Sequence, residues 1–74
     1  MNRAERIAIG RQRHGVGDSP DLSGNVQHLV SPIVGMLRLM ERDGESLAPK
    51  DMDYYINRLS LVLDLASEAN ERKP

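Results

Sequence analysis

Two histidines are the side chains best suited to acid–base or metal chemistry in this chain of 74 residues. They stand well apart along the sequence, as His14 and His28, and the chain contains no cysteine. Metal sites in proteins are usually built from three or four His, Cys or carboxylate ligands held close together. The sequence therefore predicts no metal site, and His28 is expected at a helix surface or interface.

A glycine-rich segment, residues 15–19 (GVGDS), is the stretch that most suggests a phosphate-binding loop. It lacks the Lys-Ser/Thr pair that such a loop uses to hold the phosphates. The sequence also has no Gly-x-Ser-x-Gly elbow and no convincing Ser-His-Asp arrangement. We therefore expect the protein to be no enzyme, with no catalytic residue and no cofactor.

The charges divide the chain into a basic arm and an acidic body. Residues 1–17 carry four arginines against one glutamate, a net charge of +3. Residues 18–74 carry six Lys/Arg against ten Asp/Glu, a net charge of −4. The overall charge of −1 hides this asymmetry, in which a basic arm is attached to an acidic body.

The arm, residues 1–24, supports two interpretations. Alternating polar and apolar residues over Glu5–Ile9 favour a half-buried strand. Alternatively, Asn2 could cap a short helix with Glu5 as its capping-box partner, and Gly10 could end it. The rest of the arm contains glycines and a proline, which is typical of a linker. We expect a flexible or strand-forming arm.

A first helix is predicted over residues 25–43 from apolar residues spaced 4, 3, 4 and 3 apart. These residues are Val26, Val30, Ile33, Leu37 and Met40. Asn25 suits the N-cap, and Gly44 suits the position after the last turn. Pro32 has no N–H to donate to the carbonyl of His28, so we expect a kink there and allow a break.

A second helix is predicted over residues 49–70 from the same spacing. Its apolar residues are Met52, Ile56, Leu59, Leu63 and Ala66. Pro49 suits the first turn, and Asp51 complements the positive end of the helix dipole. Because only residues 44–48 separate the two helices, they should return antiparallel to each other. The predicted fold is all-α, an antiparallel helical hairpin over residues 25–71 with a basic N-terminal arm.

The second helix has more apolar surface than one partner helix can cover. Leu61 and Leu65 lie one turn apart, away from its main stripe. A surplus of this kind marks an interface. Two hairpins could pair as a four-helix bundle through these leucines, or a partner protein could cover them. In a third arrangement, the arm folds back and buries Ile7 and Ile9 against the hairpin.

Two segments of the predicted hairpin resemble the dimerisation and phosphoacceptor hairpin of sensor histidine kinases. They are residues 27–32 (QHLVSP) and residues 47–56 (LAPKDMDYYI), where that family has His-Glu-Leu-Arg-Thr-Pro and a second helix that often opens after Leu-x-Pro. Aligning on Pro32 places Gln27 at the phosphoacceptor position. The resemblance therefore implies a dimerising four-helix hairpin without phosphotransfer.

The basic arm also permits a nucleic-acid interpretation. Four arginines could neutralise a few phosphates, and a strand followed by two helices is similar to the ribbon-helix-helix repressors. Two features argue against it: a long linker separates Ile9 from the first helix, and the acidic body would be repelled by DNA. Tyr54 and Tyr55 are the only aromatic residues, too few for base stacking. A homodimeric DNA-binding repressor is kept as the alternative.

Protein binding is the interpretation that we favour. The arm could add as a strand to an exposed sheet edge, with its isoleucines in pockets and its arginines on acidic groups. In size, basic arm and helical body, the chain resembles small phage-encoded proteins that bind bacterial RNA polymerase. We therefore predict a non-enzymatic regulator that inhibits or modulates such an assembly. The predicted partner-binding residues are Arg6, Ile7, Ile9, Arg11 and Arg13. A structural dimerisation hairpin using Leu61 and Leu65 is the third alternative.

Hydropathy gives an expectation for location. No apolar run approaches the roughly 20 residues of a membrane span. The N-terminus lacks the apolar stretch of a secretory signal peptide. We expect a cytoplasmic protein that does not bind membranes.

Overall fold

A computed structural model describes residues 1–72 and contains three helices. These are α1 (Arg3–Arg13), α2 (Leu22–Asp43) and α3 (Pro49–Glu71). Residues 1–72 contain no β-strand. The predicted all-α class is confirmed. Helix α3 is central, because it packs against both α1 and α2.

Helix α1 shows that the strand interpretation of the arm is wrong. The side chain of Asn2 accepts a hydrogen bond from the backbone N–H of Glu5 at 2.8 Å, which is the cap considered as the alternative. The helix does not end at Gly10, because the N–H of His14 still donates to the Gly10 carbonyl. A Cβ at Gly10 would lie 2.9 Å from Leu61, so this glycine lets α1 approach α3 closely.

Helix α2 begins at Leu22, earlier than the predicted Asn25, and continues through Pro32. Asn25 is buried inside the helix, where its side chain donates to the carbonyl of Ser19 at 3.0 Å. This bond fastens the preceding connection to the helix. The helix ends before Gly44, whose φ of 70° lies in the left-handed region that favours glycine.

The core lies where α1, α2 and α3 meet, and it includes the arm. Its buried members are Ile7, Val16, Leu29, Leu61 and Leu65, with Leu22 and Val62 packed around them. Leu29 is fully buried. The arrangement in which the arm folds back therefore holds for Ile7, whereas Ile9 remains 40% exposed.

The prediction of which apolar stripe of α3 is buried and which is exposed is wrong. Leu61 and Leu65, predicted to form an outer face, are 3% exposed in the core. The predicted inner stripe lies on the surface, with Leu63 72% exposed and Ile56 56% exposed. The physical reason is that helical spacing shows which residues share a side, and not which side packs within the chain. The packing of α1 against Leu61 determines which side of α3 is buried.

No helix within residues 1–72 is both long enough and apolar enough to cross a membrane.

Candidate protein-interaction face

Exposed apolar side chains are concentrated on one side of α3. We call them the α3 stripe: Met52, Ile56, Leu59 and Leu63, which are 44%, 56%, 42% and 72% exposed. Each helical residue advances by about 100°, so Leu59 and Leu63 point about 160–200° away from Leu61. The stripe is therefore nearly opposite the side of α3 on which α1 packs.

The side of α3 that carries this stripe is also free of charge along its whole length. The charged residues of the helix are Lys50, Asp51, Asp53, Arg58, Asp64, Glu68 and Glu71. On a helical projection, all of them fall within an arc of about 160° centred near Leu61. The remaining part of the circumference carries Pro49, the stripe, Tyr55 and Val62 toward its buried edge, and Ser60, Ala66, Ser67 and Asn70. A solvated helix surface normally carries charged residues, so an uncharged sector of this width is unusual for an exposed side of a helix.

Helix α2 contributes a second stripe. We call it the α2 stripe: Val26, Val30, Val34 and Leu37. Val34 and Leu37 are 40% and 44% exposed, and the two preceding valines are half-buried. A shallow groove runs along Val26, Val30 and Val34, with Gly35 as a low point in its wall. Met36 and Leu39 are exposed as well, but they lie on the other side of α2.

Two arginines of the predicted arm site are engaged within the chain. Arg6 forms a paired hydrogen bond to Asp64, at 3.0 and 3.1 Å, and lowers the pKa of that carboxyl below its ordinary value. Arg11 donates to the carbonyl of Gly17. Arg3, which was not among the predicted site residues, holds Glu71 at 2.8 Å and lowers its pKa. Much of the arm's basic charge is thus matched by carboxylates of α3.

The other predicted arm residues divide between core and surface. Ile7 is buried against Leu61 and Leu65. Ile9 and Arg13 are exposed, and with Arg6 they line a cleft of about 220 Å³ between α1 and α3. The structure therefore brings three of the five predicted residues, Arg6, Ile9 and Arg13, to one cleft.

Arg58 is a buried arginine whose role was not predicted from the sequence. It is only 6% exposed, and its Nη2 and Nε donate to the carbonyls of His28 and Leu29 at 2.7 and 2.9 Å. Its guanidinium carbon also lies 5.2 Å from the centre of the Tyr54 ring, within range of a cation–π contact. A sequence signal was present: Pro32 leaves the carbonyl of His28 without its helical donor, which calls for a donor from elsewhere.

The histidines lie near this arginine. The Nε2 atom of His28 is 2.9 Å from the carbonyl oxygen of His14, and the His14 ring meets Tyr54 edge-on. Burial lowers the pKa of His14, and the positive charges of Arg58 and Arg13 lower it further. No group of three or more His, Asp or Glu side chains in the described part of the chain could hold a metal ion. The histidines thus contribute to packing between the α1–α2 connection and the two long helices.

Comparison with known proteins gives no family for this chain. No protein-family model matches it. No curated protein and no solved structure is significantly similar to it. The function of the chain must therefore be inferred from the geometry of the site.

Proposed function

We propose that this chain is a small non-enzymatic regulatory protein that works by binding other protein chains through α2 and α3. In this proposal α2 and α3 form the antiparallel hairpin predicted from the sequence, with α1 on one side. The short connection of residues 44–48 and the contact of Arg58 with Leu29 support that arrangement. The binding element is then the side of the hairpin opposite α1.

The two stripes lie on the same side of such a hairpin. On a helical projection the angle increases by about 100° for each residue along the chain. On α3, the residues that face α2 are Tyr55, Arg58 and Val62, and the α3 stripe lies at larger angles than these residues. On α2, the stripe likewise lies beyond Leu29 and Ile33 in the direction of increasing angle. Viewed from one end of the hairpin, successive residues turn clockwise on one antiparallel helix and anticlockwise on the other. Moving from the contact between the helices in the direction of increasing angle therefore leads to the same side of the hairpin on both helices. We call the two stripes together the apolar face.

The observation that carries the proposal is the exposure of this apolar face, which carries no charge on α3 and, on α2, meets its first charge in projection at Glu41, one turn beyond Leu37. Soluble monomers rarely expose a contiguous apolar patch larger than a few hundred Å² unless it serves an interaction. The spacing of 4, 3 and 4 residues in the α3 stripe is the spacing by which a helix packs against other helices. A helical protein partner therefore suits the face better than an extended peptide or a small molecule does.

The regulated target that we propose is a large bacterial protein assembly, most concretely RNA polymerase, as in the phage-encoded regulators that the sequence resembles in format. The cleft between α1 and α3, with Ile9 and Arg13 exposed on it, offers this target a further contact. The DNA-binding alternative is less favoured, because Arg3 and Arg6 already hold carboxylates of α3.

The test is capture of partners from bacterial lysate with three versions of the full chain. We expect the wild-type chain to retain subunits of one large assembly, identified by mass spectrometry. Leu63→Glu places a charge at the most exposed position of the α3 stripe and should abolish this capture. Gln12→Glu, an equally acidic change at an exposed position of α1, is the matched control and should leave it intact. Equal capture by all three versions would contradict a role for the apolar face.

A further inference from the structure

We propose that the occupant of the apolar face is a second copy of this chain, so that two hairpins form a four-helix bundle with the two-fold axis parallel to the helices. This inference rests on the proposed function, because it names the chain that covers the same face when the target assembly is not bound there. Three properties of the face lead to it: its shape, its size and the charges at its borders.

The shape of the face is complementary to itself. The α2 stripe and the α3 stripe are two parallel ridges, separated by the distance between packed helices, about 8–10 Å. A surface with two such ridges accepts two helices at the same separation, which is what a second copy presents. A two-fold axis brings identical surfaces together, and it then places the α2 stripe of each copy against the α3 stripe of the other.

The side of the hairpin that carries the face approaches the size of a stable interface. The two stripes each cover about 18 Å of helix, and two adjacent helices are each about 10 Å wide, which gives a footprint on the order of 360 Å². The uncharged side of α3 continues from Pro49 to Asn70, about 30 Å of helix, and over that length the footprint is on the order of 600 Å². A stable dimer of ordinary size buries about 800 Å² on each partner. That area is about 15% of this chain's surface of 5425 Å².

The charges at the borders favour a second copy over an unrelated helical protein. Arg38 stands at the outer border of the α2 stripe and Asp53 at the outer border of the α3 stripe. Neither residue forms a salt bridge within residues 1–72. Glu41 also projects onto the α2 side, near the end of the helix. Up to that point the face carries one positive and one negative border, and a two-fold axis sets each border against its opposite.

The levels of these two residues along the hairpin also match. Arg58 lies beside Leu29, so in an antiparallel pair Val34 lies beside Asp53. Arg38 is four residues further along α2, about 6 Å away along the axis. An axis parallel to the helices keeps both copies at the same level. The guanidinium of Arg38 therefore comes within reach of Asp53 of the second copy, and the reverse pair forms by symmetry.

The first measurement is the mass of the full chain by sedimentation equilibrium over a range of concentrations. We expect a monomer–dimer equilibrium that approaches twice the chain mass of 8.3 kDa. Ile56→Glu and, separately, Leu63→Glu should each give a monomer that keeps the helical circular dichroism of the wild type, because both side chains are exposed in the single chain. Gln12→Glu should remain dimeric. A wild-type chain that stays at 8.3 kDa up to millimolar concentration would overturn the proposal.

The second measurement tests the arrangement with a charge exchange. Arg38→Glu alone should weaken dimerisation by about three- to tenfold, because it opposes two like charges in each of two symmetric pairs. Combining it with Asp53→Arg should restore the wild-type affinity. A dimer that does not respond to either change would overturn the arrangement with a parallel axis.

These results are distinguishable from a failure of the proposed function. A monomeric wild-type chain that still captures an assembly, and loses it with Leu63→Glu, overturns the second copy and leaves the proposed function intact. A dimeric chain that captures no assembly supports the second copy and contradicts the regulatory role.

Discussion

Arg58 on α3 supplies the hydrogen bond that Pro32 removes from α2. Proline has no N–H, so the carbonyl of His28, four residues earlier, loses its helical donor, and the Nη2 of Arg58 donates to that carbonyl at 2.7 Å. The exchange places a guanidinium inside the protein at 6% exposure, with backbone carbonyls and the Tyr54 ring around it. A break in the backbone hydrogen bonding of one helix thus becomes a specific contact with another.

Because of this contact, replacing Arg58 should strongly lower the free energy of unfolding, and the size of the loss should depend on whether residue 32 is proline. Arg58→Met should lower the free energy of unfolding by about 2–3 kcal/mol, because it removes two charged hydrogen bonds and leaves the part-buried carbonyl of His28 without a donor. In a Pro32→Ala background, residue 32 regains its N–H and can donate to His28. The loss caused by Arg58→Met should then be smaller by about 1 kcal/mol or more.

Urea titrations of the four chains at one fixed protein concentration measure this coupling. Lys50→Met, which removes a positive charge from the exposed surface of the same helix, is the control and should change stability by less than about 0.5 kcal/mol. Additive effects of the changes at positions 32 and 58 would contradict the exchange of donors.

Gly10 and Gly35 should respond in opposite ways to alanine. Both lie inside helices, where alanine is ordinarily more stable than glycine by about 1 kcal/mol. At Gly10 the new Cβ would meet both methyl groups of buried Leu61, at 2.9 and 3.1 Å, and overpacking of this kind costs about 1–3 kcal/mol. At Gly35 the space is open.

Thermal unfolding followed by circular dichroism measures the difference. Gly10→Ala should lower the midpoint temperature, and Gly35→Ala should raise it. A rise in both would show that Leu61 can move aside without loss, and that the close approach of α1 and α3 does not depend on the glycine.

His14 should make the protein less stable as the pH falls below neutrality. Burial lowers the pKa of His14 in the folded chain, whereas in the unfolded chain the residue keeps its ordinary value near 6.5. Below about pH 6.5 the unfolded chain therefore binds a proton that the folded chain resists, and the free energy of unfolding decreases. His14→Asn should flatten the pH dependence between pH 7 and the lowered value. An unchanged slope, measured by urea titration at each pH, would contradict the prediction.

The ion pairs between α1 and α3 should act in a more acidic range. The pKa of Asp64 is lowered by Arg6, and that of Glu71 is lowered by Arg3. The stability they provide is present above the ordinary carboxyl values and is lost as the pH falls through the lowered ones. Asp64→Asn should therefore reduce the loss of stability in acid, whereas Asp18→Asn, at an exposed residue of the α1–α2 connection, should not. Equal acid titration curves for the two variants would contradict a role for this pair.

The long helices could be predicted from the sequence because their signals are local. Pro49 in the first turn of α3 and Gly44 after the last turn of α2 act through backbone geometry, which neighbouring residues set. The inner side of α3 could not be predicted, because two apolar stripes with helical spacing lie on opposite sides of it. Which one is buried depends on the position of α1, and therefore on contacts between residues more than fifty positions apart, such as that between Gly10 and Leu61.

The surplus of apolar surface on the second helix was predicted, and its exposed part was assigned to the wrong residues. A surplus of apolar surface on the second helix was evident from composition, and the structure places the exposed part at Ile56 and Leu63 instead of Leu61 and Leu65. Arg58 was missed because a charged residue in a helix is ordinarily solvated. Its burial becomes intelligible only when the missing N–H of Pro32 is considered on a different helix.

The burial of Val16 has a consequence for how this protein can be shortened. A chain cut to residues 18–74 would lose Ile7 and Val16, two of the five buried members of the core cluster, together with the cover that α1 gives to Leu61 and Leu65. In such a fragment Leu61 and Leu65 would be newly exposed and could bind other proteins through the former core. Its binding would therefore not represent the binding of the intact protein. Single substitutions at exposed positions are therefore the sound route to dissecting this protein.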